Sequence, residues 1–163
     1  MDLEQLIAAF DSAAGLEQAP AVDGVWKFSA DGLVFGVTAD DSGENVFLFG
    51  EVSAPPPDRE ESFRKVALEA NFFGRGTGGA VFSLNPETGA YTLVRSERLD
   101  RLEPKSFFSL VEMFVNTLAA WEAIATAGGV QPSGGADDFA RSEPPGGDAG
   151  LQSDFPIGGF LQV

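Results

Sequence analysis

The sequence predicts an α+β fold in the order α-β-β-β-α-β-β-α, a twisted antiparallel sheet packed with helices, over residues 1–127 of a 163-residue chain. Apolar residues recur at helical spacing near the start and before residue 128, and short β-rich runs bounded by turn residues lie between them. The stretch from Asn71 to Leu102, NFFGRGTGGAVFSLNPETGAYTLVRSERLDRL, joins the two patterns. It ends a helix in glycines, turns a hairpin at Asn85-Pro86-Glu87-Thr88-Gly89 and leads an arginine-bearing strand toward another helix.

The first helix is expected over Leu3–Ala14. Asp2 can cap it, Gln5 stands three residues later and Gly15 supplies a stop, while Leu3, Leu6, Ile7 and Phe10 form one apolar stripe. Strands follow at Val22–Phe28, Leu33–Ala39 and Val46–Glu51, separated by the turn sequences Ala30-Asp31-Gly32 and Asp40-Asp41-Ser42-Gly43. Trp26, Phe28, Leu33, Phe35 and Val37 alternate on one kind of face, whereas the VFLF run at 46–49 is apolar on both sides and reads as a central strand or one covered by a second chain. Pro55, Pro56 and Pro57 cannot continue a sheet and lead into a second helix, for which Asp58 and Glu61 suggest a capping box. Phe63, Val66, Ala67, Ala70 and Phe73 line one side of that helix up to Gly74, and Leu68 and Phe72 lie off the stripe. Such a helix contacts two bodies, its own sheet and a partner subunit. A hairpin of Ala80–Leu84 with Ala90–Arg95 comes next, then a long helix from Pro104 to Ala127. Its stripe of Phe107, Val111, Phe114, Leu118 and Trp121 is wide enough to cover a sheet.

Composition narrows the function. The chain has no cysteine and no histidine, which removes disulfides, thiolate nucleophiles, Ser-His-Asp triads and the common zinc sites. The glycines of GRGTGG fit neither the phosphate-loop spacing nor the dinucleotide fingerprint, and they follow a helix instead of opening one. The adjacent pairs Asp40-Asp41 and Asp137-Asp138 sit in turn-like sequence and read as solvated surface, so no catalytic, metal or cofactor residues are assigned. A net charge of −15 repels nucleic acid and anionic membranes. Residues 1–61 hold thirteen acidic and two basic side chains, whereas 62–128 are balanced, so an early surface would attract basic or unfolded polypeptide. The N-terminus lacks a basic segment before an apolar core, and no uninterrupted apolar run of membrane length follows; a soluble cytoplasmic protein without stable membrane insertion is expected.

From Gly128 the composition shifts to Gly, Ser, Pro and Asp, and residues 128–163 are expected to form a disordered acidic tail. Its apolar end, with Leu151, Phe155, Ile157, Phe160 and Leu161, reads first as part of a loose tail, the alternatives being a segment that folds back into a hydrophobic groove or recruits a partner.

The element order, the joined motifs Leu68-Glu69-Ala70-Asn71, Gly78–Leu84, Glu87-Thr88-Gly89, Tyr91-Thr92-Leu93 and Leu99–Leu102, the opening helix ending at Gly15-Leu16 and the DGLVFGV strand together resemble the CesT/Tir family of type III secretion chaperones. The resemblance covers about residues 1–127 and departs at the Gly/Pro-rich tail and the weakly patterned first strand. It implies a homodimer without enzymatic activity or cofactor, which binds the N-terminal chaperone-binding region of a secreted effector and keeps it non-globular. On that reading Leu6, Ile7, Phe10, Phe35 and Val37 are candidates for effector binding, and Phe63, Val66, Leu68, Phe72 and Phe73 for the dimer interface. An ordinary core role is open for each of the effector-binding candidates. The alternative function is a non-secretory regulatory or sensory protein-binding domain of the same fold.

Overall fold

A computed structural model describes residues 2–14 and 21–127; Gly15, Leu16 and the whole 128–163 tail lie outside the described residues, with its expected disorder and apolar end. Helix α1 spans Leu3–Ala14, strands β1 to β3 span Val25–Ala30, Leu33–Ala39 and Asn45–Val52, and helix α2 spans Glu60–Ala70. Strands β4 (Val81–Leu84) and β5 (Tyr91–Arg98) precede helix α3 at Pro104–Ala127, which gives the predicted order. The strands form one antiparallel sheet in the spatial order β1-β2-β3-β5-β4, with β3 at its centre as its two-sided apolarity suggested.

Local chemistry fixes the joints. At α1 the Asp2 amide donates to Gln5 Oε1 at 3.2 Å and the Gln5 amide to Asp2 Oδ1 at 2.9 Å, the reciprocal cap read from the sequence. Asp31 and Gly32 both take left-handed φ, 51° and 82°, which matches a two-residue turn to the twist of β1 and β2. In the β2–β3 turn Asp40 accepts bonds from the Asn45 side chain and from the amides of Glu44 and Asn45. The Asn45 side-chain bond leads in holding its carboxyl down at about 2.

The second helix departs from expectation. Asp58 and Glu61 form no capping box; Arg59, whose guanidinium has no acceptor, occupies the cap position without a side-chain bond, and its amide donates to Pro56 O at 2.8 Å. The helix stops at Ala70, not Gly74, and Phe73 falls in a left-handed turn with φ 55° and ψ 21°, off the buried stripe that sequence spacing gave it. The first strand also begins later, at Val25, with Val22 held only by an isolated bridge to it.

One face of the sheet is covered. On it, α1 and the start of α3 meet β1 and β2 through Phe10–Phe28 (5.5 Å), Phe10–Phe107 (5.9 Å), the stacked Phe28–Phe35 pair and Phe35–Phe114. At the other end α2 meets β4, β5 and α3 through Phe63–Tyr91 (4.9 Å), Phe63–Trp121 (5.9 Å) and Phe82–Trp121 (4.6 Å). Edge-to-face aromatic pairs of this kind add about 0.5–1.5 kcal/mol each to their burial. The long apolar α3 corrects one expectation, since Pro104–Thr126 has the length and composition to cross a membrane. Phe107, Leu110, Val111, Phe114, Leu118, Trp121 and Ala125 are buried in the core, which accounts for that hydrophobicity.

The approach of α3 to the sheet depends on Gly50: a β-carbon there would lie 2.5 Å from Leu118 Cδ2, and Leu118 is fully buried. Gly50→Ala is therefore expected to destabilise the fold by about 1–3 kcal/mol through overpacking, measured as a lowered urea midpoint with unchanged slope.

Candidate protein-binding site

The parity set by the strand register sorts the apolar side chains. Trp26, Phe28, Phe35, Val37, Leu48, Leu93 and Phe82 point to the helices. Val81, Val94 and Phe49 form a row of cross-strand partners on the other face that ends on Gly36, where the Phe49 ring occupies the space a β-carbon would need. Phe47 and Val34 share that face, and Val34 and Val81 are more than half exposed. No described helix lies over this face.

The five residues expected to bind an effector do not form an accessible patch. Leu6, Ile7 and Val37 are fully buried, and Phe35 and Phe10 nearly so. Apolar periodicity located them correctly on one side of α1 and β2, but that side is the core. Phe10 alone reaches a groove, about 390 Å³ in volume, between α1 and α3 that Ala9, Ala13, Pro104, Lys105 and Phe108 also line. The five candidates therefore support a surface from beneath.

The dimer candidates divide. Phe63 is core, packed on Tyr91 and Trp121, and Val66 is half-buried. Leu68, Phe72 and Phe73 are 63%, 65% and 82% exposed, and the two phenyl rings pack edge to face at 4.5 Å. Phe73 holds this position in a left-handed conformation that costs an aromatic residue about 1–3 kcal/mol. The GRGTGG loop behind it is tied down by Trp121 Nε1, which donates to Gly76 O at 2.9 Å, and by Arg95 Nη1, which donates to Gly78 O at 2.7 Å. Arg95 also pairs with Glu97. The loop is thus a braced platform for two exposed rings, with the amides of Gly74, Gly76 and Gly79 committed to turns.

Sequence reasoning missed the strand edges. Closing the two-residue turn at Asp31-Gly32 makes Ala30, Phe28 and Trp26 the residues that bond β2, so Val25, Lys27 and Ser29 direct their backbone groups outward. Val25 is closed by Val22 in both directions, at 3.1 and 3.0 Å. Lys27 and Ser29 are exposed and have no backbone partner on that side among the described residues. The signal was present in the ADG turn, whose two-residue length sets which strand positions face out.

Among the described residues no group of three or more carboxylates could hold a metal. This fold is that of a known family. The Tir chaperone protein (CesT) family matches the chain over residues 5–122. The chain belongs to it. The structure is similar to the ExsC–ExsE complex, with 17% identity and a TM-score of 0.64 over 79% of this chain and 100% of the matched one. It is also similar to the HopA1–SchA chaperone–effector complex, at 14% identity and a TM-score of 0.59 over 73% and 91% of the two chains. The Yersinia pestis type III secretion chaperone SycH, in complex with a fragment of YscM2, matches at 14% identity and 0.55 over 72% and 97%. No curated protein sequence gives a significant match.

Buried polar groups are scarce, which makes one of them conspicuous. Asp11 on α1 is buried, neither carboxylate oxygen has a hydrogen-bond partner among the described residues, and burial pushes its pKa above the ordinary 3.8. A raised folded pKa means the ionised form is penalised in the native state; the penalty is absent below pH 3.8 and grows as pH rises through the folded value. Asp11→Asn should stabilise the protein at pH 7, measured as a raised urea midpoint. That gain should shrink toward zero as denaturation is followed below the carboxylate range.

Proposed function

We propose that this CesT-family chain is a type III secretion chaperone that binds the N-terminal chaperone-binding region of a secreted effector in the cytoplasm and keeps it extended and competent for export. The observation that carries the reading is the family match across residues 5–122, nearly the whole described domain. The surfaces suit it: an open sheet face with Val34, Phe47, Phe49, Val81 and Val94, and an open β1 edge at Lys27 and Ser29. An extended client strand added at that edge gains main-chain bonds there, while its alternate side chains meet the sheet's flank. The early-chain acidity favours a client segment with basic residues.

Proteins co-purified from the native host should include a secreted protein held through its N-terminal region; association only with a kinase or transcription regulator would favour the regulatory alternative. Ser29→Pro should leave the fold intact, since that amide faces away from β2 and proline is tolerated at an edge. It should also weaken capture of the recovered client by several-fold or more, through the lost donor. Capture at parental strength would remove β1 as the site.

We further propose that the chain works as a homodimer through Leu68, Phe72 and Phe73, with Val66 at the margin. A stable interface buries roughly 800 Å² per partner, and exposed aromatics are its usual anchors. Light scattering should give a particle of twice 17.1 kDa. Phe73→Gly removes one ring and the left-handed strain together, so it should weaken self-association by about tenfold or more without unfolding the chain. A monomeric parent at high micromolar concentration would refute this.

A further inference from the structure

The two edges of the sheet are treated differently. On β4, the pairing of Asn85 N with Ala90 O puts Val81, Ser83 and Asn85 in register to bond β5, so Phe82 and Leu84 direct their backbone groups outward. Phe82 is not open. Its amide donates to Asn71 Oδ1 at 2.7 Å, and its carbonyl accepts from Asn71 Nδ2 at 3.3 Å. The primary amide of Asn71 presents a donor and an acceptor side by side, as a residue of a neighbouring strand would. One step earlier, Ala80 is closed by Thr77: its amide donates to Thr77 O at 3.0 Å, and its carbonyl accepts from the buried Thr77 hydroxyl. Only Leu84 then faces out without a partner among the described residues, at the last position before the turn.

We propose that Asn71 is a strand mimic that closes the β4 edge, so that this sheet accepts an added strand only at β1. An exposed strand edge is a template for any extended chain, and a protein that handles unfolded polypeptide meets such chains constantly. A second open edge, next to the exposed Phe72 and Phe73, would offer clients a template that competes with β1 and would let copies of the chain pair edge to edge beyond the proposed two-fold contact. Asn71 is suited to the task by position. It follows the last residue of α2, where its own amide still bonds Ala67 O at 3.2 Å, so the helix aims its side chain at β4. The proposal extends the placement of the client at β1, but its test needs no client and can fail or succeed independently of it.

The test opens the edge in the full-length chain. Asn71→Ala removes both bonds to Phe82, and Asn71→Ser, too short to reach Phe82, is the second opening variant should the first fail to fold. Expected are exchange of the Phe82 amide faster by about tenfold and a light-scattering mass that rises with concentration above that of the parent. A charged side chain on an exposed edge strand blocks edge-to-edge pairing. Adding Val81→Lys to either variant should therefore restore the parental mass, because Val81 stands on β4 with its side chain exposed. Parental exchange at Phe82, or a parental mass in the folded opening variant, overturns the proposal. Association that survives Val81→Lys overturns it as well, since it then runs through another surface.

Discussion

Helix α3 is the constraint on which the other elements depend. It is the wall shared by both aromatic clusters, touching Phe10 and Phe35 at one end and Phe63 and Phe82 at the other through Phe107, Phe114 and Trp121. Its approach to the sheet requires the missing side chain at Gly50, and its indole bond to Gly76 carries the constraint into the glycine loop. A single helix of this length can cover only one side of a five-stranded sheet, with α1 and α2 filling its flanks. The other face and both edges are left to be managed by different means. That division decides where a partner can bind.

Elements whose identity rests on local chemistry were legible in the sequence. The cap of Asp2 and Gln5, the Asp31-Gly32 turn and Pro104 at the first helical position each act within a few residues, and the starts of α1, β2 and α3 follow from them. The second helix was less legible because two local signals competed. The proline-rich turn extends to the Arg59 amide, and Arg59 instead of Asp58 stands at the cap position. The tertiary demand for a reversal into β4 then placed Phe73 in a left-handed turn, where periodicity had counted it as one more buried residue.

The site was legible in kind but not in place. A stripe of Leu6, Ile7 and Phe10 has the same pattern whether it packs on its own sheet or on a partner, and only the assembled sheet shows that it is core. The exposed apolar surface lies instead on the opposite parity of β2, β3, β4 and β5 and at the end of α2. Asn71 carried no signal as an edge residue, because its partner Phe82 is eleven positions on and the outward direction of Phe82 depends on the register with β5.

The open edge at β1 is short, and its energetics limit what it can do alone. Lys27 and Ser29 offer two donors and two acceptors, which at roughly 0.5–1.5 kcal/mol net per bond give on the order of 2–6 kcal/mol. Before the cost of ordering an extended chain, such a contact is near the millimolar range of about 4 kcal/mol, and after that cost it is weaker still. Specific capture must therefore draw on side chains at the sheet flank and on more than one contact along the client. A two-fold dimer displaying two such edges would supply this, because once one stretch of a client is bound the next meets its site at an effective concentration in the millimolar range. Weak individual edges joined in this way would hold a client extended without fixing it in a fold, and would release it stepwise when it is pulled away from one end.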